Sequence, residues 1–175
     1  MVKGATIRTL GNGSTTIVAR GGIGACVTYL NKGVAVIESG QILGGTTGTM
    51  SITGYGYNGG LGCTTDNGVQ GQGVLVWSSS GTPNSVISSI GANVSVTGYG
   101  ANNTNATIPT TNACMINAGV VVGQGVYGAG TAGRIITSGG SGTVSVTGYG
   151  GTLVSQATAS SHYPVGVWIN GPNAT

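Results

Sequence analysis

Val94–Gly100 reads VSVTGYG, the same seven letters return at Val144–Gly150, and MSITGYG stands at Met50–Gly56. The phrase alternates apolar and polar residues, the period of a half-buried strand. Val94 and Val96 are expected to point inward, and Ser95 and Thr97 outward. A phrase that recurs every few tens of residues is the mark of a stacked array. The repeat is anchored on its central apolar residue: Ile17, Ile52, Val96 and Val146. On that anchor ATIRTLGNGSTTIVARGG (5–22) lies without gaps under RIITSGGSGTVSVTGYGG (134–151). GQILGGTTGTMSITGYG and NSVISSIGANVSVTGYG fall in the same register.

Upstream of each full copy stands a second marker, Gly-Val, read at Gly33-Val34, Gly73-Val74 and Gly125-Val126, with a fourth at Gly166-Val167. Each unit then reads as three short strands. The first is GVAVI, GVLVW or GVYG, the second QILGG, SVISS or RIITS, and the third the recurring phrase. Three strands per turn, repeated in register, predict an all-β parallel β-solenoid (a β-helix) that buries columns of Val and Ile. The expected organisation is one domain over 1–175. Its coils run at 5–32 (partial), 33–72, 73–124, 125–165 and 166–175 (partial), with variable insertions leaving at one corner. Insertions on one face of such a fold are often its binding face.

Composition narrows the function. The chain has 37 glycines, 39% apolar residues, five basic and two acidic side chains. Disordered chains combine low hydrophobicity with high charge, the opposite of this balance. The cations are scattered, so no basic patch exists to follow phosphates, and nucleic-acid binding is not expected. No apolar run approaches the ~20 residues that span a bilayer. The opening MVKGATIRTLGNG carries no apolar signal core. This leaves two expectations: maturation in the cytoplasm, or a piece of a secreted precursor.

The two-residue period assigns faces. Val34, Val36, Val74, Val76, Ile52, Val94, Val96, Val144 and Val146 are expected inside. Ala35, Ile37, Leu75, Trp77, Tyr127 and Trp168 then form an outward apolar stripe. Such a patch is rarely left bare, so an insertion or another chain should cover it, and Ile37, Leu75, Trp77, Tyr127 and Trp168 are candidate subunit-interface residues. Tyr55, Tyr99 and Tyr149 should stack at the strand spacing of ~4.8 Å, with Arg20 over Tyr55. That ladder reads as a stabilising stack, or as an aromatic strip for sugar rings or a neighbouring subunit. Ser51, Thr53, Ser95, Thr97, Ser145 and Thr147 form outward ranks of hydroxyls suited to ice or a glycan. Gly98 and Gly100 are expected at corners for the backbone angles that only glycine tolerates.

Chemistry-bearing residues are few. Glu38 and Asp66 are the only carboxylate side chains and His162 the only histidine. Neither a carboxylate pair nor a triad is assembled by their placement, so no enzymatic activity, cofactor or metal is expected. Cys26, Cys63 and Cys114 fall at corresponding places in successive insertions, with His162 in the fourth. They read as a packed ladder of small residues, against the alternatives of a metal column or a Cys26–Cys63 or Cys63–Cys114 disulfide. Asn12, Asn93, Asn102, Asn105 and Asn173 match the N-glycosylation pattern.

The VSVTGYGG phrase, followed by a Gly-rich insertion and then GV.V, resembles repeats of large secreted bacterial proteins of the filamentous-haemagglutinin and autotransporter type. Similar Gly/Ser/Thr/Val coils occur in viral tail spikes and fibres. The resemblance implies a right-handed parallel β-helix used as an extracellular stalk, adhesin or fibre, at the cell surface or on a virion. The expected function is therefore non-enzymatic and structural. The chain should begin at strands two and three of a coil (Ala5–Val18) and finish after strand one (Gly166–Asn170). Those partial coils are complementary, which predicts head-to-tail self-assembly into a filament. The alternatives are a phage tail-spike module, and an ice- or glycan-binding module whose partner is a cell-surface glycan.

Overall fold

The computed structural model describes residues 1–22, 31–57, 71–78, 82–102, 114–115, 117–123, 134–152, 161–162 and 164–170. They form strands and turns, with no helix among them. The first repeat holds β1 (Val2–Lys3), β2 (Thr6–Arg8) and β3 (Thr15–Arg20). The second holds β4 (Val34–Ile37), β5 (Gln41–Gly44) and β6 (Thr49–Tyr55), and the third β7 (Val74–Trp77), β8 (Ser85–Ser89) and β9 (Asn93–Tyr99). A two-residue strand, β10 (Cys114–Met115), precedes β11 (Val120–Gly123), β12 (Arg134–Ser138) and β13 (Val144–Tyr149). Then come β14 (Ser161–His162) and β15 (Val167–Asn170).

Every strand pairs in parallel with its counterpart in a neighbouring repeat. The first strands form one sheet in the order β1-β4-β7-β11-β15, the second strands β12-β8-β5-β2, and the third β13-β9-β6-β3. Pairing follows the sequence anchors: Ile17 lies opposite Ile52, Ile52 opposite Val96, and Val96 opposite Val146. β-branched residues suit these strands because their stiff side chains pack well on a pleated surface.

Two features differ from the expected layout. The strand beside β7 is β11, with Val120 opposite Val74, so the third Gly-Val marker is Gly119-Val120 and not Gly125-Val126. Tyr127, expected on that strand, lies outside the described residues. The first repeat also supplies its own first strand, since Val2 and Lys3 pair with Val36 and Ile37. It begins at residue 2 rather than at residue 5, and contains all three strand types.

The core is the set of inward columns. Val34, Val36, Ile42, Met50, Ile52, Val74, Val76, Ile87, Val94, Val96, Val120 and Val122 are buried in one cluster. Burial of each such side chain contributes about 1.5–3 kcal/mol. Val146 is partly buried, and Val144 is 43% exposed, because β13 is the last strand of its sheet. A second cluster lies on the other face of the first sheet: Ala35, Ile37, Leu75, Trp77, Ala118 and Val121, with Val165 and Trp168 against it. The predicted apolar stripe therefore exists, with Val121 in the place given to Tyr127. Ile37, Leu75 and Trp77 are buried within the single chain, so they leave no open stripe for a second chain.

The glycines of the repeated phrase answer to space rather than to backbone angle. The φ of Gly98 and of Gly100 lies outside the left-handed region, contrary to expectation. A Cβ on Gly54, Gly98 or Gly148 would instead sit 2.0, 2.0 or 1.9 Å from the carbonyl oxygen of Gly73, Gly119 or Gly166. Third strand and following first strand thus cross backbone to backbone, which links the GYG phrase to the Gly-Val marker. Left-handed backbone occurs at the corner after β4, where Glu38 (φ 49) and Ser39 (φ 68) form a two-residue turn. The Gly40 N–H closes it by donating to the Ile37 carbonyl at 2.9 Å.

Candidate functional site

The third sheet is the face that carries ordered polar and aromatic side chains. Its outward residues fall in columns by register: Thr16–Ser51–Ser95–Ser145, Val18–Thr53–Thr97–Thr147 and Arg20–Tyr55–Tyr99–Tyr149. The hydroxyl ranks are thus in line. Those of Ser51, Thr53, Ser95 and Thr97 are half-buried, while Ser145 and Thr147 are exposed.

The tyrosines stack as expected. Tyr55 and Tyr99 have ring centroids 4.8 Å apart with planes 6° from parallel, and Tyr99 and Tyr149 are 4.8 Å apart at 7°. The Arg20 guanidinium carbon lies 4.2 Å from the Tyr55 ring centroid. A cation over a ring face is attracted by the ring quadrupole, by about 0.5–1 kcal/mol at an exposed site. Beside the ladder runs a groove of about 370 Å³ lined by Arg20, Tyr55, Tyr99, Tyr149, Asn102 and the glycines of the phrase. Stacking occupies the ring faces. The groove meets edges and hydroxyls, which limits its use as a platform for sugar rings. The outer face of Tyr149 is the exception: that side chain is 53% exposed and, among the described residues, has no ring above it.

Asparagines tie neighbouring repeats together. Asn93 Oδ1 accepts from the Thr143 N–H at 2.9 Å and its hydroxyl at 3.1 Å. Asn102 Oδ1 accepts from the Thr152 N–H at 2.8 Å and its hydroxyl at 3.1 Å. Asn12 Oδ1 accepts from the Thr46 hydroxyl at 2.7 Å. Three of the five glycosylation-pattern asparagines thus serve as clamps between repeats. Asn105 and Asn173 lie outside the described residues.

Among the described residues the insertions contribute one small sheet. β10 pairs with β14, with Cys114 opposite Ser161 and Met115 opposite His162. Cys114 thus corresponds to Ser161, the neighbour of His162. Cys26, Cys63 and Asp66 lie outside the described residues. Among the described residues no three His, Cys, Asp or Glu side chains gather as a metal site, and no helix is long and apolar enough to cross a membrane.

Sequence reasoning missed one buried charge. Lys32, just before the Gly33-Val34 marker, is 5% exposed, and burial pulls its pKa down to about 7. Its counterparts before the other markers are Gln72, Ala118 and Val165. The pattern before each Gly was the available signal.

No protein-family model, curated protein or solved structure matches this chain.

Proposed function

We propose that this chain is a non-enzymatic structural module. In this reading it is a parallel β-solenoid with three short strands per coil, serving as a segment of an extracellular, cell-surface or virion fibre or adhesin that stacks end to end. One observation carries the reading. Columns buried in the middle of the stack come to the surface at both ends, on strands whose outer edges are unpaired among the described residues. Ile7 is 43% exposed at one end, although Ile42 and Ile87 in its column are buried, and Ile169 is 56% exposed at the other. Edges of this kind are templates for further pairing, and a head-to-tail contact that does not close gives a filament. The resemblance of the VSVTGYGG repeats to filamentous-haemagglutinin-type and tail-spike coils supports the same reading.

Electron microscopy and sedimentation of the purified chain test it. The expected result is unbranched fibres of uniform width, with a ~4.8 Å repeat along the axis. Discrete monomers at high concentration overturn it, and closed trimers favour a viral spike.

The aligned hydroxyl columns favour a second reading, an ice- or glycan-binding face. Its test is thermal hysteresis and glycan-array binding. No ice shaping and no glycan retained would end it.

A further inference from the structure

The first sheet has an uneven edge at each end of the stack. At the N-terminal end β1 covers only half of β4: it pairs with Val36 and Ile37, while Val34 and Ala35 have no strand opposite them on that side among the described residues. At the C-terminal end β15 is full length. Its four residues pair with β11 through Val120–Gly123. Ile169 lies in the column Val2–Val36–Val76–Val122–Ile169, and Val167 in the column Val34–Val74–Val120–Val167. Val34, Val36, Val74, Val76, Val120 and Val122 are buried, whereas Val167 and Ile169 are exposed. β15 thus carries the two apolar residues needed beneath β4, and β1 carries one of them, Val2.

We infer that β15 of one copy displaces β1 of the next and takes its place beside β4. The inference rests on the end-to-end reading above and names its joint. Ile169 enters the position held by Val2, and Val167 lies opposite Val34, where β1 offers nothing. Four paired residues replace two. The other two sheets then meet in the internal register, β2 against β12 and β3 against β13. Ile136 comes opposite Ile7, extending the column Ile7–Ile42–Ile87–Ile136. Val146 comes opposite Ile17. Tyr149 comes opposite Arg20, so that its exposed outer face meets a guanidinium that already covers Tyr55 within the chain.

Charge fixes the direction. Lys3, Arg8 and Arg20 stand one on each N-terminal edge strand. Pairing two N-terminal ends sets like charges against each other, a known guard against edge pairing. In the head-to-tail register Arg20 meets Tyr149, Arg8 meets Thr137, and Arg134 falls at Ala5. No two cations are opposed.

The test uses the full chain, dilute enough not to assemble, and a labelled synthetic peptide of residues 164–170. The peptide should bind saturably, and the Ile169→Asp peptide should bind at least tenfold more weakly. Val2→Asp, which loosens β1, should raise peptide affinity about tenfold, and the milder Val2→Gly should act in the same direction. Equal binding of the two peptides, or weaker binding to both Val2 variants, overturns the inference. Fibres without specific peptide binding leave end-to-end stacking standing and overturn strand displacement. Specific peptide binding without fibres does the reverse.

Discussion

The first and third sheets share strand direction, neighbours and spacing, yet differ on one face. In β4, β7 and β11 every residue is buried. In β6 and β9 buried residues alternate with half-buried ones. The letters follow: VAVI, VLVW and VVVG are continuous apolar runs, whereas MSITGY and VSVTGY alternate. Parallel strands are usually covered on both faces. Here covering is a property of each sheet, and the open third sheet holds the ordered hydroxyls, tyrosines and Arg20.

The largest expected effect tests this contrast directly. Leu75→Asp, on the second face of the first sheet, should cost as much as Val76→Asp on the core face. A buried unpaired charge belongs to the class of changes above about 4 kcal/mol. Ser95→Asp, outward on the third sheet, should stay within about 1 kcal/mol. Urea unfolding of the three variants, followed by circular dichroism, ranks them. A mild Leu75→Asp would mean that the first sheet's second face is open.

Lys32 sharpens the same comparison at the entry to the enclosed sheet. Burial brings its folded pKa down to about 7, from the 10.5 usual for a lysine in water. Between those values the unfolded chain binds the extra proton, so stability should rise as pH increases from about 7 toward 10.5. Below about 7 both states are protonated and the full penalty is present. Lys32→Met should remove this slope and stabilise the protein at neutral pH by a few kcal/mol, at 1.36 kcal/mol per pKa unit. Thermal melts at pH 6, 7.5 and 9 read it out.

Gly98→Ala probes the crossing of the two sheets. Its Cβ would meet the Gly119 carbonyl oxygen at 2.0 Å, so backbone must move. Overpacking of this kind costs about 1–3 kcal/mol. Ala19 occupies the same register position in the first repeat, so Ala19→Gly should change stability by less than Gly98→Ala does. A smaller effect is expected in the ladder. Tyr99→Ala breaks two stacks and Tyr149→Ala one, at about 0.5–1.5 kcal/mol per aromatic pair beyond area burial. Urea midpoints should therefore fall further for Tyr99→Ala.

Much of this was legible in the letters. The third strands were found because their alternation is strict and their phrase nearly invariant, and Tyr and hydroxyl columns follow from a shared register. The first strand of the fourth repeat was misplaced because AGVVVGQGVYG contains two Gly-Val words. The apolar run after Gly119, like VAVI and VLVW, was the better guide than distance to the anchor. The connection between β11 and β12 is longer than its counterparts in the other repeats, and connection length is the least constrained part of such a unit. β1 has two residues, too few to show a period. The burial of Lys32 was signalled only by its place before the Gly33-Val34 marker, where the other repeats carry Gln72, Ala118 and Val165.

The central claim is that successive repeats stack in parallel and in register, and amide-to-alpha proton contacts by NMR test it most directly. The account predicts cross-strand contacts linking the Ile52 and Val96 regions and the Val96 and Val146 regions, in the same sense along each strand. Antiparallel contact patterns, or third strands that contact only segments of their own repeat, would contradict it.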